Sequence, residues 1–300
     1  EQVRAAYQIQ RADQFPTLNL AATGNRQPNG NGGIASTYTA GLAMASWELD
    51  FFGRVAALKD AALARFLASE EARRATQTSL IAAVANGWLA LQADEELLAL
   101  TRQTLATRDD SLRLTKLRFD NGAASALDLR QAESLAAAAR GTLAQLQRSR
   151  AQDLNALTLL VGQTPPATLL PTASASSAAL QAVPEGLPSD LLARRADIRQ
   201  AEQALIAANA NIGAARAAFF PRIALTASVG SASSELSGLF KDGSWGFTLA
   251  PQAVLPIFDA GRNQANLDAA KVGRDIAVAQ YEKAIQTAFR EVADALAARA

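Results

Sequence analysis

Cysteine and histidine are both absent from the 300 residues. Zinc sites, thiol nucleophiles, Ser–His–Asp triads and haem ligation therefore lose the residues on which they usually depend. The chain also lacks any apolar run of about 18 residues, so the sequence predicts no transmembrane helix. Lys and Arg number 29 and Asp and Glu 28, a balance that gives no electrostatic reason to expect nucleic acid. We predict no enzyme, no metal and no cofactor.

A signal peptide is likewise not visible. The chain opens on "EQVRAAYQIQRADQF", which reads as a helix already under way, and closes on "EVADALAARA" without a helix stop signal. We therefore expect further sequence at both ends. An export signal or a lipid-anchoring cysteine would precede residue 1, and a second helical hairpin tip would follow residue 300.

Long helices dominate what is present. Residues 54–119 contain no proline and are rich in strong helix formers, which predicts one helix of roughly 100 Å. A seven-residue repeat in it predicts a left-handed supercoil, formed by Val84, Leu91, Leu98, Leu105, Leu112 and Phe119. A second helix over 124–161 has a matching seam that includes Arg150, Asp153 and Leu157. Asn121-Gly122 is a helix stop between them, so 54–161 is predicted to be an antiparallel coiled-coil hairpin.

Four segments alternate apolar with small or polar residues, at about 17–25, 38–46, 222–230 and 245–255. This period of two predicts β-strands, each roughly as long as a bilayer-crossing strand. The loops inside each pair are polar and rich in Gly and Ser. We therefore predict two strand pairs, each with one apolar face.

The sequence contains an internal repeat. "RADQFPTLNLAATG" at 11–24 matches "RAAFFPRIALTASVG" at 216–230, and a Gly-Arg pair follows each second strand, at offsets of 205 to 208. The predicted first repeat is 1–161 and the connecting segment, rich in Pro, Ala and Ser, is 162–188. The second, incomplete repeat is 189–300, with a helix over 190–218, the two later strands and a helix over 261–300.

Two isolated hairpins are not stable in water, and open sheet edges are not tolerated in lipid. Three chains that pool their strands would give a twelve-stranded barrel. The expected lipid-facing residues are Leu18, Leu20, Leu42, Ile223, Leu225, Phe247 and Leu249. Tyr38, Trp47 and Trp245 lie at strand ends, where interfacial aromatic residues are expected. The alternative is a soluble sheet packed over a helical core.

Several motifs make the sequence resemble a known family. They include "ASWELDFFGRV", "DNGAASALDLRQAE" and "LPIFDAGRNQANLDAAKVGRD". The chain is similar to the outer-membrane efflux proteins of TolC type, and most similar to their OprM-like branch. The resemblance implies a mixed fold, mostly α. Three chains would build a β-barrel in the outer membrane of a Gram-negative bacterium and a long α-barrel across the periplasm.

The implied activity is that of a passive duct in a tripartite efflux pump. Its implied partners are a periplasmic adaptor (membrane fusion) protein and an RND-type inner-membrane pump. One departure is that the family usually reads Arg-Arg-Pro-Asp where this chain has Ala196 as the third residue. Without that proline, we expect the helix to continue through this position. A soluble coiled-coil scaffold or adaptor is the alternative function.

The hairpin turn at 120–128 is the candidate functional tip. By resemblance, the adaptor docks there, on Gly122, Ala123, Ala124 and Ser125. Asp128 matches a family position that helps to hold the pore closed, with Arg113, Lys116 and Arg118 as candidate partners. From the residues alone, a plain helix–helix turn is equally supported, with Asp128 a solvated charge favoured by the helix dipole.

Overall fold

The computed structural model describes residues 1–28, 32–172 and 194–298. Within these ranges the chain forms five α-helices and four β-strands. The helices are α1 (Gln2–Ala12), α2 (Arg54–Asp120), α3 (Ala126–Val161), α4 (Ala196–Ala217) and α5 (Arg262–Ala297). The strands are β1 (Leu18–Pro28), β2 (Ile34–Leu49), β3 (Arg222–Ser233) and β4 (Trp245–Val254). Most of the predicted connecting segment, from 173 to 188, lies outside the described residues.

The chain divides into two compact units. Residues 1–75, with those described from 194 onward, form one unit, which contains the four strands. Residues 76–172 belong to the other, which contains most of the helical hairpin. No helix in the described ranges is both long and apolar enough to cross a membrane.

All four strands join one antiparallel sheet in the order β1-β2-β3-β4. The two hairpins were predicted from the sequence, but the pairing of β2 with β3 was not. That pairing links the first repeat to the second. Beyond the predicted bounds, β1 extends to Pro28 and β2 begins at Ile34, where Pro28 opposes Ile34 at the end of the ladder.

The predicted antiparallel hairpin of α2 and α3 is confirmed. Arg140 donates to Asp109 across the two helices at 2.6 Å, and Gly87 faces Leu157 nearer the other end. The predicted seam is buried in the middle of the hairpin, where Leu91 and Leu98 have 0% of their surface exposed. Helix packing of a seven-residue apolar repeat therefore holds this unit together.

The start of α4 differs from the prediction. The expected helix over 190–218 has its first four residues outside the described ranges, and the observed helix begins at Ala196. Arg195 is extended (φ −79°, ψ 125°), and its guanidinium binds Asp197 at 2.7 Å and Glu291 of α5 at 2.6 Å. The expectation that the helix continues through Ala196 is therefore wrong.

Candidate functional site

The strand register places all the predicted membrane-facing residues on one face of the sheet. Directly opposed residues share a face. One row across the sheet runs Leu20, Leu42, Val229 and Phe247, and the next runs Leu18, Met44, Ala227 and Leu249. Ile223, Leu225, Tyr38, Trp47 and Trp245 lie on this face by the same register. That lipid covers these residues stays a prediction.

This apolar face is largely uncovered in the chain. Leu20 is 83% exposed, Phe247 73% and Leu18 70%. Soluble monomers rarely leave so many large apolar side chains together in water. An apolar environment for this face must therefore come from outside the described residues.

A β-bulge keeps the apolar face continuous along β2. The pairing with β3 shifts between Met44 and Trp47, so that Met44 opposes Ala227 and Trp47 opposes Leu225. The extra residue restores the alternation, because without it everything after Met44 would turn to the other face. The sequence contains a signal for the bulge. Met44 and Trp47 are three residues apart, whereas two residues on the same face of a regular strand are two or four residues apart.

The opposite face is built from small and polar residues. Its central row is Ala21, Gly41, Gly230 and Gly246, beside a row of Asn19, Ala43, Ser228 and Thr248. A Cβ on Gly41 would lie 2.3 Å from the carbonyl oxygen of Val229, and one on Gly230 would lie 2.3 Å from that of Ala40. The backbones of β2 and β3 therefore approach too closely at this point for any side chain. Sequence reasoning did not identify this glycine pair.

An ion-pair cluster joins the two repeats where the strands meet the helices. The Glu48 carboxylate accepts from Arg54 at 2.8 and 2.6 Å, and from Nε of Arg222 at 2.6 Å. Its side chain is only 11% exposed. Arg54 belongs to the Gly-Arg motif of the first repeat, whereas Arg222 begins the first strand of the second repeat. The sequence offered no periodic signal for this contact across 174 positions.

The hairpin tip is a tight helix stop followed by a helix start. Gly122 adopts φ +73°, the left-handed conformation that glycine tolerates best. The amide of Ala123 donates to the Arg118 carbonyl at 2.7 Å, and that of Gly122 donates to the Phe119 carbonyl at 2.9 Å. This pattern is a Schellman motif, and it satisfies the last carbonyls of α2. The predicted turn at Asn121-Gly122 is confirmed.

Asp128 is the third residue of α3 and forms a capping box with Ser125. Its carboxylate accepts from the Ser125 amide at 3.0 Å and from Oγ at 2.8 Å, while its own amide donates to Oγ at 3.1 Å. The Ser125 side-chain and backbone hydrogen bonds, with a smaller effect from Arg118, lower the pKa of Asp128. The stabilisation is therefore present above the unfolded-state pKa and lost as the pH falls through the lowered value.

The role of Arg113, Lys116 and Arg118 as partners of Asp128 stays a prediction. Asp128 lines a groove of about 180 Å³ with Arg108, Ser111 and Thr115 of α2, and none of the three predicted partners lines it. Arg113 instead pairs with Asp110 at 3.2 Å. The positive charge of Arg118 contributes to the lowered pKa of Asp128. Sequence reasoning missed Arg108, although residues 108, 111 and 115 share one helix face.

The model of the outer membrane efflux protein family matches residues 1–163 and 187–300. The chain belongs to this family. The predicted resemblance is confirmed, and so is the predicted fold class, a mostly helical chain with long antiparallel helices and four strands. Members of this family are named as channels and transport proteins of the outer membrane.

Relatives of the chain support the family assignment. It is 51% identical over 306 residues to the solvent efflux pump outer membrane protein SrpC of Pseudomonas putida, covering 100% of this chain. It is also 51% identical to outer membrane protein OprJ of Pseudomonas aeruginosa, covering 99% of this chain and 64% of OprJ. The chain spans 65% of the length of SrpC, so it corresponds to part of such a protein.

Solved structures of the family have the same fold. The chain is 49% identical to a membrane protein from Pseudomonas aeruginosa, with a TM-score of 0.94 over 99% of this chain and 68% of that one. It is 43% identical to the open state of the Neisseria gonorrhoeae MtrE outer membrane channel. The TM-score is 0.89 over 99% of this chain and 67% of MtrE.

Proposed function

We propose that the complete protein is the outer-membrane channel of a tripartite efflux pump in a Gram-negative bacterium. It is a passive homotrimeric duct through which drugs, solvents or other small molecules leave the cell. The observation that carries this proposal is the sheet with one exposed apolar face, one small and polar face and two open edges. A barrel with lipid outside and water inside satisfies all three features.

Energy for export comes from an inner-membrane pump of RND type, and a periplasmic adaptor connects that pump to the duct. We assign adaptor docking to the tip formed by Gly122, Ala123, Ala124 and Ser125, whose small side chains permit close approach. We assign Asp128 to the gate. A soluble coiled-coil scaffold, the alternative, would have no need for the alternating apolar face.

The internal repeat predicts how two copies of the chain pair. Within the chain, β2 of the first repeat pairs with β3 of the second. If the same junction is repeated between copies, β4 of one copy pairs with β1 of the next. Across the junction within the chain, Met44 opposes Ala227. Ala253 is the equivalent of Met44, because Met44 opposes Leu18 and Ala253 opposes Ile223, the equivalent of Leu18. The equivalent of Ala227 in the first repeat is Ala22.

A second, separate equivalence gives the same register. Beyond the bulge, Trp47 opposes Leu225. The Gly-Arg motifs make Leu255 the equivalent of Trp47, and the Phe-Pro steps make Leu20 the equivalent of Leu225. Leu255 then opposes Leu20, which is the register that also aligns Ala253 with Ala22. Both pairs keep the apolar residues on one face.

The test is cysteine crosslinking in the full-length protein in outer membranes. Ala22→Cys combined with Ala253→Cys should give crosslinked trimers under mild oxidation, because opposed strand residues are close enough for a disulfide. Ala22→Cys with Ala250→Cys is the matched control, since Ala250 lies on the other face of β4. Equal crosslinking in both variants, or in neither, would contradict the strand register.

Transport itself is tested separately, with the full-length protein. It should require detergent for extraction, conduct ions as a trimer in planar bilayers, and restore drug or solvent efflux to a strain that lacks its outer-membrane channel. Purification as a soluble monomer without detergent would contradict the proposal.

A further inference from the structure

A buried carboxylate occupies the apolar seam of the helical hairpin. Asp94 lies three residues after Leu91 and four before Leu98, both of which have no exposed surface. Asp94 itself is only 8% exposed. A carboxylate in such a position needs hydrogen-bond partners, because burial of an unsatisfied charge is costly.

Asp94 faces a second carboxylate, Asp153 of α3. The Oδ2 atom of Asp94 is buried and has no hydrogen-bond donor among the described residues. Asp153 is half-buried on the facing helix, within hydrogen-bonding reach. Two ionised carboxylates offer only acceptors, so this contact is repulsive unless one proton lies between them.

The surrounding charges do not supply the missing donor. Arg150 of α3 is the nearby cation, and its Nε donates to Glu95, the neighbour of Asp94 in α2. The described residues of the next segment, 162–172, contain no titratable side chain. Within the described chain, Asp94 is thus faced by Asp153 and Arg150 from α3 and by Glu95 on its own helix.

We propose that Asp94 and Asp153 form a proton-binding site in the hairpin, in which one proton is shared between the two carboxyl groups. The protonated carboxyl supplies the donor that the buried Oδ2 atom lacks. No bond other than the O–H bond forms or breaks, and the proton comes from solvent. The site lies apart from the tip and does not depend on the proposed duct function.

The site makes the packing of this part of the hairpin depend on pH. Burial, followed by the hydrogen bond and charge of Asp153, raises the pKa of Asp94. The stabilisation is therefore complete below the ordinary pKa of an aspartate and is lost as the pH rises through the raised value. Loss of the proton leaves two negative charges facing each other across the seam, which favours local opening of the helices.

Infrared titration of the full-length trimer tests the proton directly. At a pH where ordinary carboxylates are ionised, the wild-type protein should retain a carbonyl band of a protonated carboxyl group. Asp94→Asn and Asp153→Asn should each remove that band, because an amide can donate to the remaining carboxylate without a shared proton. Asp110→Asn is the matched control on α2, since Asp110 is exposed and pairs with Arg113.

Hydrogen exchange gives a second readout that does not depend on the band. After correction for intrinsic exchange, local opening near 88–98 and 150–157 should increase with pH by up to about tenfold per pH unit, the slope for one linked proton. Asp94→Asn should flatten this dependence, while Asp110→Asn should leave it unchanged. The proposal is overturned if the wild-type band is absent, or if band and exchange are the same in Asp94→Asn as in wild type.

Discussion

The close approach of β2 and β3 at Gly41 and Gly230 makes a sharp prediction for alanine substitutions. A methyl group on Gly41 would lie 2.3 Å from one backbone oxygen and 2.5 Å from the Cα of Gly230, whereas real Cβ contacts essentially never fall below 3.0 Å. The obstructing atoms are backbone, so no side-chain rotation relieves the contact. The strands must separate instead.

We expect Gly41→Ala and Gly230→Ala each to destabilise the sheet by about 1–3 kcal/mol, the usual cost of overpacking. Because 1.4 kcal/mol is a factor of about ten in an equilibrium constant, the yield of the proposed trimer should fall substantially. Both methyl groups act on one strand contact, so the double variant should cost less than the sum of the two single variants.

Gly246 provides the matched control, because it lies in the same row and nothing lies within 4 Å of its added Cβ. Gly246→Ala should be neutral or slightly stabilising. The assay is the yield of full-length trimer in outer membranes and its dissociation temperature on gels run without boiling. If Gly41→Ala and Gly246→Ala behave alike, the two strands are not in the close contact described here.

Four further predictions concern the faces and ends of the elements. Leu20→Arg should cost about 2–4 kcal/mol and reduce membrane assembly, whereas the neighbouring Asn19→Arg, on the other face, should be far milder; equal damage would refute the assigned faces. Asp128→Ala should raise single-channel conductance in planar bilayers. Ser125→Ala removes the cap, at about 1 kcal/mol, but keeps the carboxylate, so an equal rise in both variants would mean capping rather than gating. As the pH falls through the lowered pKa of Asp128, amide hydrogen exchange at the start of α3 should increase beyond its intrinsic pH dependence. If exchange does not increase, the capping box is contradicted. Ala196→Pro should stabilise the protein by about 0.4–1 kcal/mol, measured by thermal unfolding. The reason is that the N–H of the first helical residue makes no intrahelical hydrogen bond, and the preceding residue is already extended. A loss of stability would show that α4 does not begin at Ala196.

The parts of the fold that could be predicted have a local or periodic signal. Gly122 marks the end of α2, and alternation assigns nine residues to the apolar face of the sheet, which Trp47 shares only because of the β-bulge. The predicted seam identified Leu91 and Leu98, and its continuation on α3 included Asp153. Contacts between distant positions give no such signal.

The features that escaped prediction each depend on such distant contacts. Glu48 meets Arg222 only because β2 pairs with β3. In the sequence, Gly41 cannot be distinguished from any other glycine in a strand, because its requirement for glycine comes from the backbone of β3 that lies against it. Arg195 lies extended before α4, where its guanidinium binds Glu291, a residue far along the chain.

The charge cluster at Glu48 also has a consequence for the order of assembly. The second repeat has Pro256 at the position of Glu48, and the first has Thr17 at that of Arg222, so the proposed junction between two copies would lack this ion pair. The two equivalent strand junctions therefore differ, because the β2–β3 junction has an ion pair and the other would have none. The ion pair therefore favours pairing of β2 with β3, which supplies Arg222, over pairing of β2 with a β1 strand, where Thr17 stands at that position. In the proposed trimer, the β2–β3 junctions are then the stronger ones, and we expect them to form before the junctions between copies.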